Sequence, residues 1–455
     1  MHLRVAVAPV AWLLAGQKVV AQGIGNDETH PMLTTEKCTL KDGCVKQNTS
    51  IVLDASFHGL REINGTGSCG GYGGGALSKV LCPDHESCAK NCVLDGADYE
   101  GNGVFANGTA LTLNQYMDRD GDGNVTAVSP RVYLLDADGV DYEVLHLKNQ
   151  EISFDVDVSK LVCGMNGAMY LAEMNKTGAR GALNPAGARY GTGYCDAQCP
   201  KLPFINGVAN IDAKGACCSE MDLWEANAMA SSFTAHACSK PGVFECTGDQ
   251  CGGLGVCDKS GCWYNTWKLG NTSFYGPSSS SSSPAPPPGG DTAKRFVVDT
   301  TRPFTVTTQF LISAMPVGPS KGIMNEVRRL YVQDGVVIEN AGVTAPYMPP
   351  GDSLRMSHCQ AVANYGEGIG GLTTAGNALE RGMVLAFSIW NDDRQFMNWL
   401  DAGESGPCSL EEGDPRVIRE KSPDTRVTFT NIRWGEIGST YSHGTGAAAA
   451  AAAAS

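Results

Sequence analysis

The chain has 455 residues, a formal net charge of -14 and 18 cysteines. That acidity speaks against nucleic-acid and anionic-membrane partners, which select clustered Lys and Arg. The length allows up to three ordinary domains or one large all-β domain, and no run approaches the ~18 apolar residues of a membrane-spanning helix.

Residues 1–21 read as a secretory leader. His2 and Arg4 precede an apolar stretch from Val5 to Leu14, and small residues stand at Val19 and Ala21. Lys18 near the cleavage point is unusual, and cleavage after Ala21 leaves Gln22 first. Pro9 argues against a cytosolic N-terminal helix. In an exported chain the cysteines mean disulfides and not a metal site. Their spacings are dense, as in Cys82–Cys88–Cys92 and Cys246–Cys251–Cys257–Cys262, and no His sits at finger spacing from a Cys pair. An even count permits nine bridges whose connectivity the spacings leave open. Sequons at Asn48, Asn64, Asn107, Asn124, Asn175 and Asn271 fit a glycosylated extracellular protein.

The loop Asp118 to Asn124 resembles the start of an EF-hand calcium loop. Its twelfth position is Ser129 in place of a bidentate Glu, so a polar turn is expected. No metal and no cofactor is expected anywhere in the chain.

Two-residue alternation recurs at Ile152–Val158, Phe304–Ile312, Met383–Trp390 and Val427–Phe429. Such runs are half-buried strands, with one face on a core and one on solvent or a cleft. Helical periodicity is confined to Leu372–Arg381. Many strands and turn residues point to an all-β sandwich filling 22–442. Pro277 to Gly290 holds six serines and five prolines and is expected to be a disordered insertion. The tail 443–455 includes eight alanines and is also expected to be disordered.

Three acids mark the candidate site: Glu220, Asp222 and Glu225. Two close carboxylates are what a retaining glycosidase needs, one to attack the sugar and one to trade protons. On a strand Glu220 and Asp222 share a face and Glu225 is out of phase. One bulge near Leu223–Trp224 would return Glu225 to that face.

The run Gly191 to Pro200, followed by Cys217 to Asn227, resembles glycoside hydrolase family 7, which contains fungal endo-1,4-β-glucanases and cellobiohydrolases. Leu81 to Cys92, Ser153 to Asp157 and Asn271 to Pro277 carry the same likeness in the same order. The resemblance implies a curved, concanavalin-like β-jelly-roll sandwich with long loops, whose concave face is an open cleft binding cellulose or soluble β-1,4-glucans as a monomer. It implies the pairing Cys38–Cys44, Cys69–Cys92, Cys82–Cys88, Cys163–Cys408, Cys195–Cys218, Cys199–Cys217, Cys238–Cys257, Cys246–Cys251 and Cys262–Cys359. By the same likeness Glu220 is the ionised nucleophile and Glu225 the acid/base with a raised pKa. Asp222 hydrogen-bonds Glu220, and His236 supports the acid/base. Trp390 and Trp399 stack sugars. Phe57, Arg131, Asn166, Tyr170, Tyr194, Asp196 and Gln198 contact substrate. Gly59 stands where relatives carry a second platform tryptophan.

Cutting within chains is expected, because three roofing loops look short. Seventeen residues separate the Asp196 motif from Cys217, five lie between Cys251 and Cys257, and eight between Trp399 and Cys408. A chain-end cellobiohydrolase is the alternative within the family, and a non-catalytic glucan-binding lectin the alternative outside it.

Overall fold

The computed structural model describes residues 22–71, 75–253, 255–278, 296–313, 322–362 and 369–441. The expected leader, the alanine-rich tail and most of the Ser/Pro segment lie outside these residues.

Two large sheets form a β-jelly-roll sandwich. The first runs Cys262–Asn265, Ser231–His236, Glu220–Ala226, Asn166–Ala172, Met383–Trp390, Arg131–Leu135, Ser50–Leu53. The second runs Val336–Glu339, Met324–Gln333, Phe304–Ile312, Glu151–Asp157, Arg426–Gly435, Thr35–Thr39, Gly43–Gln47. The pairs along both paths are antiparallel except Thr35–Thr39 on Arg426–Gly435. Between the sheets lies an apolar core centred on Trp224, whose ring meets Phe154, Tyr275 and Phe304 edge-on at centroid distances of 6.2, 5.9 and 5.9 Å.

The alternating runs form strands, two of them with the expected bounds. Met383–Trp390 differs in burial: every residue from Met383 to Ile389 is buried. On its second face Val384 and Ala386 pack in an apolar cluster with Tyr133, Tyr142, Tyr170 and Tyr194. Gly371–Arg381 is helical, as its periodicity predicts. His85–Asn91, Met356–Val362, Asn398–Asp401 and Pro415–Lys421 are helices too. They are too short to show a 3.6-residue period, although Asp84 and Asp414 cap two of them in the usual way.

All nine bridges implied by the resemblance are present. Two matter for the site. Cys195–Cys218 and Cys199–Cys217 clamp the loop carrying Tyr194 and Asp196 onto the residues just before Glu220.

The bulge lies where the acid spacing requires it. Across one edge Met169 faces Trp224 and Tyr170 faces Asp222, leaving Leu223 as the extra residue. Across the other, Thr234 faces Asp222 and Ser232 faces Glu225. Leu223 and Trp224 are both fully buried, so the in–out alternation restarts at Glu225. A bulge disrupts the ladder, and here a carbonyl at the bulge finds its donor on the other sheet. Arg329, fully buried on Met324–Gln333, donates from Nη2 to the Leu223 carbonyl. Its guanidinium lies 4.3 Å from the Phe233 ring centroid, 5.8 Å from Trp224 and 5.9 Å from Tyr331.

Arg329→Met should therefore separate stability from function. Removing a buried cation relieves its desolvation, which offsets much of the ~1–3 kcal/mol cost of an unpaired Leu223 carbonyl. The melting temperature should move by a few degrees while kcat falls about tenfold or more, because Glu225 loses its register. Thermal melts and steady-state kinetics on one soluble glucan check this; full activity would show that the bulge holds itself.

Candidate active site

Strand register puts three rows of side chains on the face of the first sheet that points away from Trp224. One is His236, Glu220, Ala172, Val384. The next is Trp263, Thr234, Asp222, Tyr170, Ala386, Tyr133, Val52. The third is Asn265, Ser232, Glu225, Ala168, Ser388, Arg131. The acids thus stand on a floor of small residues. The cleft above it has a volume of about 1030 Å³ and is lined by Glu220, Asp222, Glu225, His236, Tyr170, Tyr194, Asp196, Gln198, Arg131, Phe57, Trp390 and Trp399. Asn166 is the exception among the expected residues. It is fully buried, and its amide donates to Glu225 Oε1 at 3.0 Å, so it touches the acid and not the cleft space.

Each acid has its own partner. The Ala197 amide donates to Glu220 Oε2 at 3.0 Å. His236 Nε2 lies 3.0 Å from Asp222 Oδ2, and its Nδ1 donates to the Asp258 carbonyl at 2.8 Å. Asp222 pairs with His236, and His236 also lies near enough to Glu225 to pull its pKa down. The strand pairing explains the ion pair, because His236 lies directly across from Glu220 and beside Asp222.

The electrostatics follow from burial and crowding. Burial and then the Asp222 charge push Glu225 up to about 8, against the pull of His236 and the Asn166 hydrogen bond. Burial, Asp222 and Asp196 push Glu220 well above the usual carboxylate range, against His236 and the Ala197 amide. Burial disfavours the His236 cation, but its hydrogen bond and proximity to Asp222 outweigh this and raise it to about 10. The imidazolium is the counter-charge of the acidic cluster. Burial and the neighbouring acids therefore raise both glutamates, where the sequence reading raised only Glu225.

The remaining residues are held by secondary contacts. Arg131 bonds Asp54 at 3.0 Å and stacks on Tyr194 with its guanidinium 3.5 Å from the ring centroid. The Tyr194 and Tyr170 hydroxyls are 3.1 Å apart. Gln198 donates to the Lys259 carbonyl at 2.9 Å while Lys259 Nζ donates to the Gln198 carbonyl at 2.6 Å, so its side-chain amide is already engaged. Trp390 and Trp399 lie 6.4 Å apart at 31°. The short helix bearing Trp399 is anchored by Asp401, which accepts from the Gly164 amide at 2.7 Å and the Asn227 amide at 2.6 Å. A Cβ on Gly59 would meet nothing within 4 Å, so the place of the second platform is open space. In the Asp118 loop the carboxylates accept neighbouring amides of the loop, from Gly121 and Gly123 to Asp118 and from Asn124 to Asp122. The sequence reading missed Trp263, Lys268, Lys259, Ser260, Ser232, Thr234 and Asn265 as lining residues. Two-residue alternation along Ser231–His236 and Cys262–Asn265 was the signal that could have found Ser232, Thr234, Trp263 and Asn265, whereas Lys259, Ser260 and Lys268 lie in a bend and a turn that carry no such signal.

Paired glutamates on one face of a long sandwich cleft define a class, the retaining polysaccharide hydrolases. Residues 22–441 match the Glycosyl hydrolase family 7 model, and the chain belongs to that family. A probable endo-beta-1,4-glucanase celB of Aspergillus terreus is 51% identical over 426 residues, covering 93% of this chain and 95% of the relative. Endoglucanase type C of Fusarium oxysporum is 46% identical over 436 residues, covering 94% and 95%. Among solved structures, the native endocellulase EGI of Humicola insolens superposes with a TM-score of 0.82 at 45% identity, covering 92% of this chain and all of that one. A family 7 cellobiohydrolase of Daphnia pulex does so with 0.80 at 33%, with the same coverage of this chain.

Asp222→Asn should return the His236 imidazole from about 10 toward its ordinary value, read by NMR titration of the ring protons. A raised histidine pKa stabilises below the unfolded value near 6.5 and is lost as pH rises through the folded one. The variant should thus lose more stability at pH 6 than at pH 10. An unmoved titration would show that Asp222 is not the group holding the charge.

Proposed function

We propose that the chain hydrolyses internal β-1,4-glucosidic bonds of cellulose and soluble β-glucans by double displacement with retention, and that it does so as a secreted monomer. One observation carries the reading: a single bulge brings Glu220 and Glu225 onto one face of an elongated cleft, in a family whose similar members are named endo-β-1,4-glucanases.

Glu220 attacks the anomeric carbon and forms a covalent glycosyl-enzyme, while Glu225 gives its proton to the leaving oxygen. Glu225 then takes a proton from the water that frees the sugar. The two carboxyls start with raised pKa values, and hydrogen bonding sorts them. Glu220 has a backbone amide and the nearby imidazolium to stabilise its anion. The positive charge that develops on the substrate's anomeric carbon adds to that stabilisation. Glu225 also feels the imidazolium, but its hydrogen bond comes from the Asn166 side chain and it receives no backbone amide, and we assign it the proton. Asp222 holds the imidazolium in place.

Lateral entry of a chain follows from the short loops and from the open space at Gly59. The viscosity of a soluble cellulose derivative should drop faster than reducing ends accumulate, and NMR should show the β-anomer first. Cellobiose as nearly the sole early product with viscosity barely changed would place the chain with the cellobiohydrolases. Glu220→Gln should abolish turnover and leave the fold intact. No reducing sugar released by the unaltered protein would favour the lectin reading.

The rate should also fall as pH rises through about 8, since Glu225 must enter the cycle protonated. With an aryl cellobioside whose leaving group needs no proton, Glu225→Gln should keep a measurable first step and lose that alkaline limb. A limb that survives the substitution would assign it to another group.

A further inference from the structure

The acids do not sit at the middle of their sheet. Beyond the Glu220–Ala226 strand lie only Ser231–His236 and Cys262–Asn265 on one side, against four strands on the other. At the end of this short arm stands Trp263. Its register partner is Thr234, whose own partner is Asp222, so the indole shares the row and the face of the catalytic acids. It lies two strands from them, about 10 Å away at normal strand spacing.

We propose that Trp263 and Lys268 form a binding platform for the second glucosyl unit of the leaving portion of the chain. This rests on the glucanase reading above and adds a residue-level assignment to it. The glycosyl-enzyme stays bound through its hydrolysis while the leaving portion departs. The arm that must hold the retained sugars, and whose binding energy is used on distorting the reacting ring, is the longer one. The short arm is left for the leaving sugars.

The platform is built and rigid. The Trp263 ring is half-buried, packing against the core while also lining the cleft. Its strand is pinned by Cys262–Cys359, and the Trp263 carbonyl accepts from His358 Nε2 at 3.0 Å. Lys268 Nζ lies 4.6 Å from the ring centroid and also lines the cleft. Asn265 fixes the turn between them: its Oδ1 accepts the Lys268 amide at 3.0 Å, and its Nδ2 donates to the carbonyls of Leu400 at 3.0 Å and Ser405 at 2.9 Å. The same asparagine thereby ties the platform to the helix that carries Trp399. A β-linked glucosyl ring presents apolar C–H faces and equatorial hydroxyls. An indole takes the first and an ammonium donates to the second.

The test compares cellotetraose, which fills both arms, with an aryl β-cellobioside, whose leaving group ends before Trp263. In Trp263→Ala the ratio of their kcat/KM values should fall about tenfold, and the inhibition constant of cellobiose should rise. Trp263→Phe keeps an aromatic face and should retain most of the ratio. Lys268→Met should lower it by a few-fold. A ratio within twofold of the unaltered enzyme in Trp263→Ala overturns the proposal. So does an equal fall on both substrates, which would put Trp263 on the retained arm, and so does Trp263→Phe losing as much as Trp263→Ala. Failure of the unaltered enzyme on both substrates would refute the glucanase reading itself.

Discussion

The bulge at Leu223 is the constraint on which the site depends. A regular strand would send Glu225 into the core and Trp224 into the cleft. One extra residue exchanges them, burying the largest side chain of the core and exposing the second glutamate. The exchange needs a donor for the carbonyl that the bulge leaves out of the ladder. Water cannot reach it under a fully buried Trp224, so Arg329 crosses from the opposite sheet to supply the bond. A charge placed so deep is costly by itself, and burial lowers its pKa. The aromatic rings of Phe233, Trp224 and Tyr331 offset part of that cost. Both sheets thus take part in the spacing of two glutamates on only one of them.

The same crowding that makes the acids useful would make them unstable without a counter-charge. Asp196, Glu220, Asp222 and Glu225 share one cleft. His236 is the cation among them, fixed at both ring nitrogens by Asp222 and the Asp258 carbonyl. Arg131 is already committed to Asp54 and to the Tyr194 ring. Protonation is therefore a property of the cluster, and a substrate that brings positive charge to one carboxylate redistributes the protons of the rest.

Much of this was legible in the residues. The Glu220, Asp222, Glu225 spacing required a bulge, and the alternation at Phe304–Ile312 and Met383–Trp390 gave those strands their bounds. What was not legible has a common cause. Arg329 lies over a hundred positions from Leu223 and sits in an ordinary polar–apolar strand, so nothing local marks it as a buried donor. Asn166 looked like a cleft residue because its type suits sugars, yet it is fully buried on the cleft face with its amide donated to Glu225. Gln198 likewise carries the right chemistry, and its amide is engaged by Lys259. Residue type tells what a side chain could do, and only the folded packing tells whether its polar atoms are already engaged.

Rigidity and openness are reconciled by where the cross-links fall. Cys195–Cys218 and Cys199–Cys217 stiffen the loop whose Ala197 amide meets Glu220. Cys163–Cys408 and the Asp401–Asn227 bond hold the Trp399 helix at the opposite wall. Cys262–Cys359 holds the strand of Trp263. Each bridge fixes a wall or the floor near the acids, so these groups need no closing lid to become ordered. Walls fixed in this way can leave the top of the cleft free for a polymer to enter sideways. The binding energy that a roof would supply then has to come from fixed aromatic faces along the floor and walls.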